Sequence, residues 1–158
     1  VLAVGPHALE HPKAEVSFTH IMTPLDGTPL SEAALPDATA LATKLGARLS
    51  LVRVVRWAVQ AYPYTLPDAY VPQVDDELEA GAKAYLRQQE AAVKGVDVSA
   101  FVVRGAIADG LLDFIEKEAA DLVVMTTHAR GGLARAALGS VADRVLQGPA
   151  PVLLIRPE

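Results

Sequence analysis

Gly139 and Ser140 close the stretch TTHARGGLARAALGS, which runs from Thr126 to Ser140 between an apolar segment and a helix-forming one. A hydroxyl at the start of a helix stands beside free backbone N–H groups and the positive end of the helix dipole, an arrangement suited to an anion. Arg130 and Arg135 add cationic reach, and Gly131 and Gly132 let the backbone bend tightly. The chemistry this combination fits is the holding of a phosphate. A plainer role fits as well: Ser140 with Asp143 three positions on resembles a capping box, in which Ser140 does no more than cap its own helix. His128 in the same loop fits packing or a local hydrogen bond better than catalysis.

A second stretch, TPLDGT, carries Asp26 before Gly27. Asp26 reads as a turn residue whose carboxylate bonds local backbone; the functional alternative is a carboxylate that takes ribose hydroxyls, as acidic residues do in other nucleotide sites. Other chemistry lacks its residues. There is no G-x-x-x-x-G-K-[ST], no G-x-G-x-x-G and no G-x-S-x-G. The acidic cluster Asp75, Asp76, Glu77 and Glu79 reads as the dipole-favoured start of a helix. His7, His11, His20 and His128 show no metal-ligand spacing, and the absence of cysteine removes thiol and Cys-zinc chemistry.

The elements that must position these loops alternate. HIMT is a short strand stopped by Pro24 and by Asp26-Gly27. Thr28-Pro29 starts a helix, which Pro36 bends or restarts and Gly46 ends. ARLSLVRVV follows as a buried strand, then a long loop from Arg56 to Val74, readable as a cover for the site. A helix over 75–95, the strand DVSAFVVRG, the helix AIADGLLDFIEKEAA, the strand DLVVM, the helix SVADRVLQG and the strand PVLLIRP complete the order. Residues 1–17 have no period and read as an extension or linker, with residues 18–158 forming one domain; no internal repeat is evident. Strands alternating with helices imply an α/β fold, an open parallel sheet with helices on both faces. The two loops leave the same carboxyl edge of that sheet, where ligands of such folds bind.

Composition agrees. Of 158 residues, 51% are hydrophobic and 5% aromatic, and the formal net charge is −5. An acidic chain poor in aromatics with no basic run lacks the footprint of a nucleic-acid binder. No run is long and apolar enough to span a membrane, and no signal-peptide pattern is present, so a cytoplasmic domain is the expectation.

The segments IMTPLDGTPLSEAALPDA and DLVVMTTHARGGLARAALGSVADRVLQGPAPVLLIRP resemble the universal stress protein family. The resemblance covers Phe18 to Pro157 and implies a Rossmann-like, five-stranded parallel sheet of order 3-2-1-4-5. It implies a homodimer through the last strand, an exposed apolar edge that invites pairing. One branch of the family binds ATP through the pattern G-x2-G-x9-G-[ST]. Gly139-Ser140 matches its last pair, whereas Ala129 and Thr126 stand at its two earlier glycines. If position 129 needs a left-handed backbone, alanine costs roughly 1–2 kcal/mol, about 5- to 30-fold in affinity.

By that resemblance, Pro24, Asp26 and Val54 line the adenine and ribose, with Leu25 between the two first-loop positions as a further cofactor-binding residue. The backbone at Ala129, Arg130, Gly139, Ser140 and Val141 holds the phosphate end, and Met125 and Thr126 also count among the cofactor-binding residues. The implied ligand is an adenine nucleotide, ATP with AMP or cAMP as alternatives, and Mg²⁺ only in its company. The implied role is a stress-response regulator or sensor with at most slow ATP hydrolysis. The alternative is a homodimeric interaction module of the same family that binds no nucleotide.

Overall fold

The computed structural model describes residues 1–7, 17–57, 71–127 and 139–156. Six strands form a single sheet. β1 is Leu2–Ala3, β2 His20–Pro24, β3 Arg48–Val55, β4 Val98–Arg104, β5 Leu122–Thr126 and β6 Val152–Ile155. The sheet order is β1-β6-β5-β2-β3-β4, and every pairing is parallel except that of β1 with β6. Without β1 this is the expected order, read from the opposite edge. The difference lies at that edge: β1, in a stretch read from sequence as carrying no element, runs antiparallel along β6, with Leu2 opposite Leu153 and Ala3 opposite Val152. The edge that the sequence leaves open for a second copy is therefore paired within the chain.

Five helices flank the sheet among the described residues: α1 Pro29–Glu32, α2 Leu35–Leu45, α3 Val71–Ala92, α4 Ile107–Glu118 and α5 Ser140–Leu146. Their ends follow local chemistry. The Thr28 hydroxyl accepts from the Ser31 N–H with Pro29 just behind it, an N-cap followed by a residue whose fixed φ suits the first helical turn. Ala33 and Ala34 interrupt the helix, and Pro36 sits in the first turn of the new one, where its missing N–H costs nothing. Gly46 ends α2 at φ 65, the left-handed C-cap that glycine takes without strain.

α3 begins at Val71, four residues before the expected helix, with Pro72 tolerated in its first turn. The expected loop is shorter at that end, and its residues 58–70 lie outside the described ones. The acidic cluster is consequently not a helix start. Asp76 and Glu79 lie within α3 and bind Arg104 of β4 at 3.2 and 2.5 Å, with Lys83 also pairing with Glu79.

Two apolar layers enclose the sheet. Leu111, Phe114 and Ile115 of α4 and Ala142 and Val145 of α5 pack on Met22, Val52, Val123 and Val152. Ala34, Ala38 and Ala42 and Leu86 of α3 pack on Ile21, Leu49, Leu51, Leu122 and Val124. The alternation of strand side chains sends neighbouring residues to opposite layers, so a parallel strand buried on both sides reads as a continuous apolar run.

A candidate nucleotide site at the carboxyl edge of the sheet

β2, β3 and β5 end at the same side of the sheet, and helices α1, α4 and α5 begin there. Between them lies a cavity of about 280 Å³. Pro24, Leu25, Asp26, Val54, Met125, Thr126, Gly139, Ser140 and Val141, picked out from the sequence, all line it. Ala129 and Arg130 lie outside the described residues, as do His128, Gly131, Gly132 and Arg135. Leu30, Ser31, Val52, Ile107, Leu111 and Ala142 line the cavity too and were not anticipated. Leu111 and Ala142 belong to the core layer and Ile107 opens α4, so a sequence pattern records them as helix-face residues.

The first loop is held by its own turn. Asp26 Oδ1 accepts from the Thr28 backbone N–H at 2.9 Å and from the Thr28 hydroxyl at 2.6 Å. The Leu25 N–H donates to the Val52 carbonyl at 2.8 Å, which ties the loop to β3. Burial pushes the Asp26 carboxyl upward, but the hydrogen bonds from Thr28 outweigh it and the net displacement is downward. Asp26 is thus an exposed carboxylate, ionised at neutral pH, at the mouth of the cavity. Gly27 has φ +89, and a side chain there would press within 3.1 Å of the Arg53 guanidinium. Arg53 in turn stacks over the Tyr85 ring at 4.9 Å, and the Tyr85 hydroxyl donates to Glu32 at 2.9 Å. This chain of contacts fixes the loop against α1 and α3.

On the other side, Gly139 and not Ser140 is the N-cap of α5, with φ 79 and ψ 148, and among the described residues no side chain caps the helix. That backbone conformation belongs to glycine. Ser140 becomes the first helical residue, exposed, its hydroxyl not used as a cap. The capping-box expectation for Ser140 is therefore corrected: capping demands extended geometry at one particular residue, and Gly139 has taken that position. Asp143 instead pairs with Gln147 at 3.4 Å.

Thr126, at the first motif glycine, is the last residue of β5. Its φ is not positive, since Ala119 is the sole non-glycine residue with positive φ among the described ones. A β-branched residue suits such extended backbone, so this departure from the motif carries no backbone strain.

The wall between the two loops is aliphatic. Val54 forms part of it, and Gly110 of α4 backs directly onto that valine. A Cβ at position 110 would lie 3.1 Å from one γ-methyl of Val54 and 3.2 Å from one of Val103. Beneath the first loop, the Thr23 hydroxyl is fully buried with no hydrogen-bond partner among the described residues.

Residues 17–156 match the model of the universal stress protein family. The chain belongs to that family. A universal stress protein of Methanocaldococcus jannaschii, MJ0531, is 32% identical over 144 residues, spanning 88% of this chain and 82% of its own length. Solved structures share the fold of this universal stress protein. One, a universal stress protein in complex with cAMP, superposes with a TM-score of 0.64 at 22% identity, over 89% of this chain and 98% of that one. Another, from Archaeoglobus fulgidus in complex with dAMP, gives 0.63 at 19% identity, over 88% and 98%. No described helix is long and apolar enough to cross a membrane, and no group of three His, Cys, Asp or Glu among the described residues is placed to hold a metal ion.

Proposed function

We propose that this universal stress protein binds an adenine nucleotide, ATP, in the cavity at the carboxyl edge of its sheet and works as a regulator whose state follows that ligand. The observation that carries the reading is the pairing of Asp26 with Ser140 across one cavity. An ionised carboxylate suited to ribose hydroxyls stands at one side, and a hydroxyl not used as a helix cap stands at the other. The aliphatic surface of Val52, Val54, Leu111 and Met125 between them suits a flat, weakly polar base.

Adenosine would fill the cavity, whose volume lies near the roughly 300 Å³ lower end of small-molecule sites. The phosphates would extend toward Gly139 and Ser140, where the first N–H groups of α5 point outward. Solved relatives of the same fold were found with cAMP and dAMP, which supports an adenine nucleotide without choosing among them. Mg²⁺ would arrive with the phosphates and not before them. Asp26 is the sole carboxylate among the described lining residues. One carboxylate already given to ribose leaves little to position a metal and a nucleophile together, so binding rather than turnover is the expected activity.

The test is a titration of the purified, ligand-stripped chain with ATP, AMP and cAMP, with and without Mg²⁺, by calorimetry. Mass spectrometry of whatever the denatured protein releases precedes it. Ser140→Ala is expected to weaken binding roughly 10- to 150-fold, the worth of one hydrogen bond to a charged group, with the melting temperature unchanged because no cap is lost. Failure of the unaltered chain to bind any of the three at millimolar concentration would place it in the branch that binds no nucleotide.

A further inference from the structure

The cavity between Asp26 and Ser140 does not end at Ser140. A second cavity of about 550 Å³ adjoins it, and the two share Ile107, Ser140 and Val141 as a common border. Beyond that border the lining changes character. The first cavity is largely aliphatic, with Asp26 as its carboxylate. The second carries two cations, Arg56 and Arg144, and no carboxylate among its described lining residues; Ala106 and Ala108 complete its wall.

The fold brings each arginine there. Side chains of extended backbone alternate, so residues two apart share a face. Val54 accordingly lines the first cavity and Arg56 the second. Trp57 goes the other way. Its ring lies 5.3 Å from the guanidinium of Arg104, which Asp76 and Glu79 of α3 hold in turn. With Trp57 committed to the α3 side, Arg56 is left toward α4 and α5. It has no ion pair among the described residues. Arg144 follows Ser140 by four residues on α5, which places both on one helix face. Its carboxylate neighbour is Asp109 at 3.5 Å, with both side chains more than half exposed, a pair of small worth.

We infer that Arg56 and Arg144 read how many phosphates a bound adenine nucleotide carries. The inference rests on the reading of the first cavity as the nucleoside site. The phosphate nearest the ribose reaches Ser140 at the border, and further phosphates pass into the second cavity, where two guanidiniums meet them. The planar fork of a guanidinium matches phosphate oxygens. Two like charges around one cavity repel each other, and an anion between them relieves that repulsion. A monophosphate or a cyclic monophosphate stops at the border and gains little from either arginine. The class selected is therefore the nucleoside triphosphate.

Asp109 sets the sign of a second effect. It competes with the distal phosphates for Arg144, so it lowers the affinity that Arg144 confers.

The test is the ratio of ATP to AMP affinity, measured by calorimetry on the full chain without added Mg²⁺. Arg56→Gln, Arg144→Gln, the double variant and Asp109→Asn are compared with the unaltered protein. An exposed charge pair is worth up to about fivefold in affinity. Each single arginine substitution is expected to lower the ratio about fivefold, and the double about 25-fold if the two contacts act independently. Asp109→Asn is expected to raise it, which a merely structural role for Arg144 would not produce. Salt should narrow the ratio in the unaltered chain more than in the double variant. Both arginines are exposed, so melting is expected to hold, and either single variant reports if the other fails to fold. Equal affinity for ATP and AMP in the unaltered chain, or a ratio indifferent to both arginines, overturns this inference and leaves the nucleoside site standing. A chain that binds neither nucleotide overturns both.

Discussion

At the amino ends of the strands, polar groups satisfy one another. Asp121 accepts from the Thr19 N–H and hydroxyl, both at 2.9 Å, and from the His20 N–H at 3.0 Å. His20 Nδ1 lies 3.0 Å from the Glu118 carbonyl, which can only accept, and 2.9 Å from the Arg48 guanidinium, which can only donate. Nε2 shares a 2.7 Å hydrogen bond with the Ser50 hydroxyl, which can donate or accept, so the ring has a partner on both nitrogens. At the carboxyl ends the opposite holds: Ser140 caps nothing, Asp26 stands exposed at a cavity, and the Thr23 hydroxyl is buried without a partner. Both ends hold residues with chemical potential, including a buried histidine. What separates structural from functional polarity is whether the bonds close among themselves.

That contrast is sharpest when each end loses its carboxylate. Asp26→Ala is expected to weaken nucleotide binding roughly 10- to 150-fold, since a charged acceptor is removed, while melting shifts little because its Thr28 bonds are exposed. Asp121→Ala should do the reverse. It strips the His20 backbone donor of its acceptor, for about 1–3 kcal/mol of stability, and leaves affinity alone. An Asp121 variant whose affinity fell as far as its stability would erase the distinction.

Acid should separate the two ends more gently. Burial holds His20 below its ordinary value of 6.5, partly opposed by its bond to the Glu118 carbonyl, so the folded protein keeps the ring neutral. The unfolded chain takes up that proton near its ordinary value. Stability is therefore complete above it and is lost as pH falls below, by at most about 1.4 kcal/mol per pH unit. Asp26, displaced downward from 3.8, gives up its share only in a lower range. Melting followed from neutral pH into mild acid should decline in the unaltered chain and flatten in His20→Gln.

The smallest effect concerns the unpartnered hydroxyl. Thr23→Val replaces it with a methyl of like shape and is expected to raise stability by about 1 kcal/mol. A loss of stability there would mean that the carboxyl end is as well satisfied as the amino end.

The alternation of strands and helices was legible because local chemistry announces it. Thr28-Pro29 starts a helix, Pro36 restarts one, Gly46 ends one, and apolar runs mark strands buried on both faces. β1 was not legible, since two residues carry no periodicity and its pairing is with the far end of the chain. The site divides in the same way. Loop residues at strand ends could be picked out by type and by family resemblance, and Asp26, Gly139 and Ser140 do line the cavity. Ile107, Leu111 and Ala142 could not be, because the packing of α4 and α5 turns helix-face residues into a wall. Whether Ser140 caps its helix could not be decided from sequence, because the distinction rests on the backbone angles of its neighbour.

Gly110 gives the cavity a remote control of its size. The residue does not line the cavity, yet the absence of its Cβ lets Val54 stand where it does, with neighbouring methyls 3.1 to 3.3 Å from where that atom would be. A single methyl added behind the wall would have to be absorbed by Val54 and Val103. The capacity of the pocket is thus written partly on the back of its lining, where a change in fit can arise without any change in the groups that touch the guest.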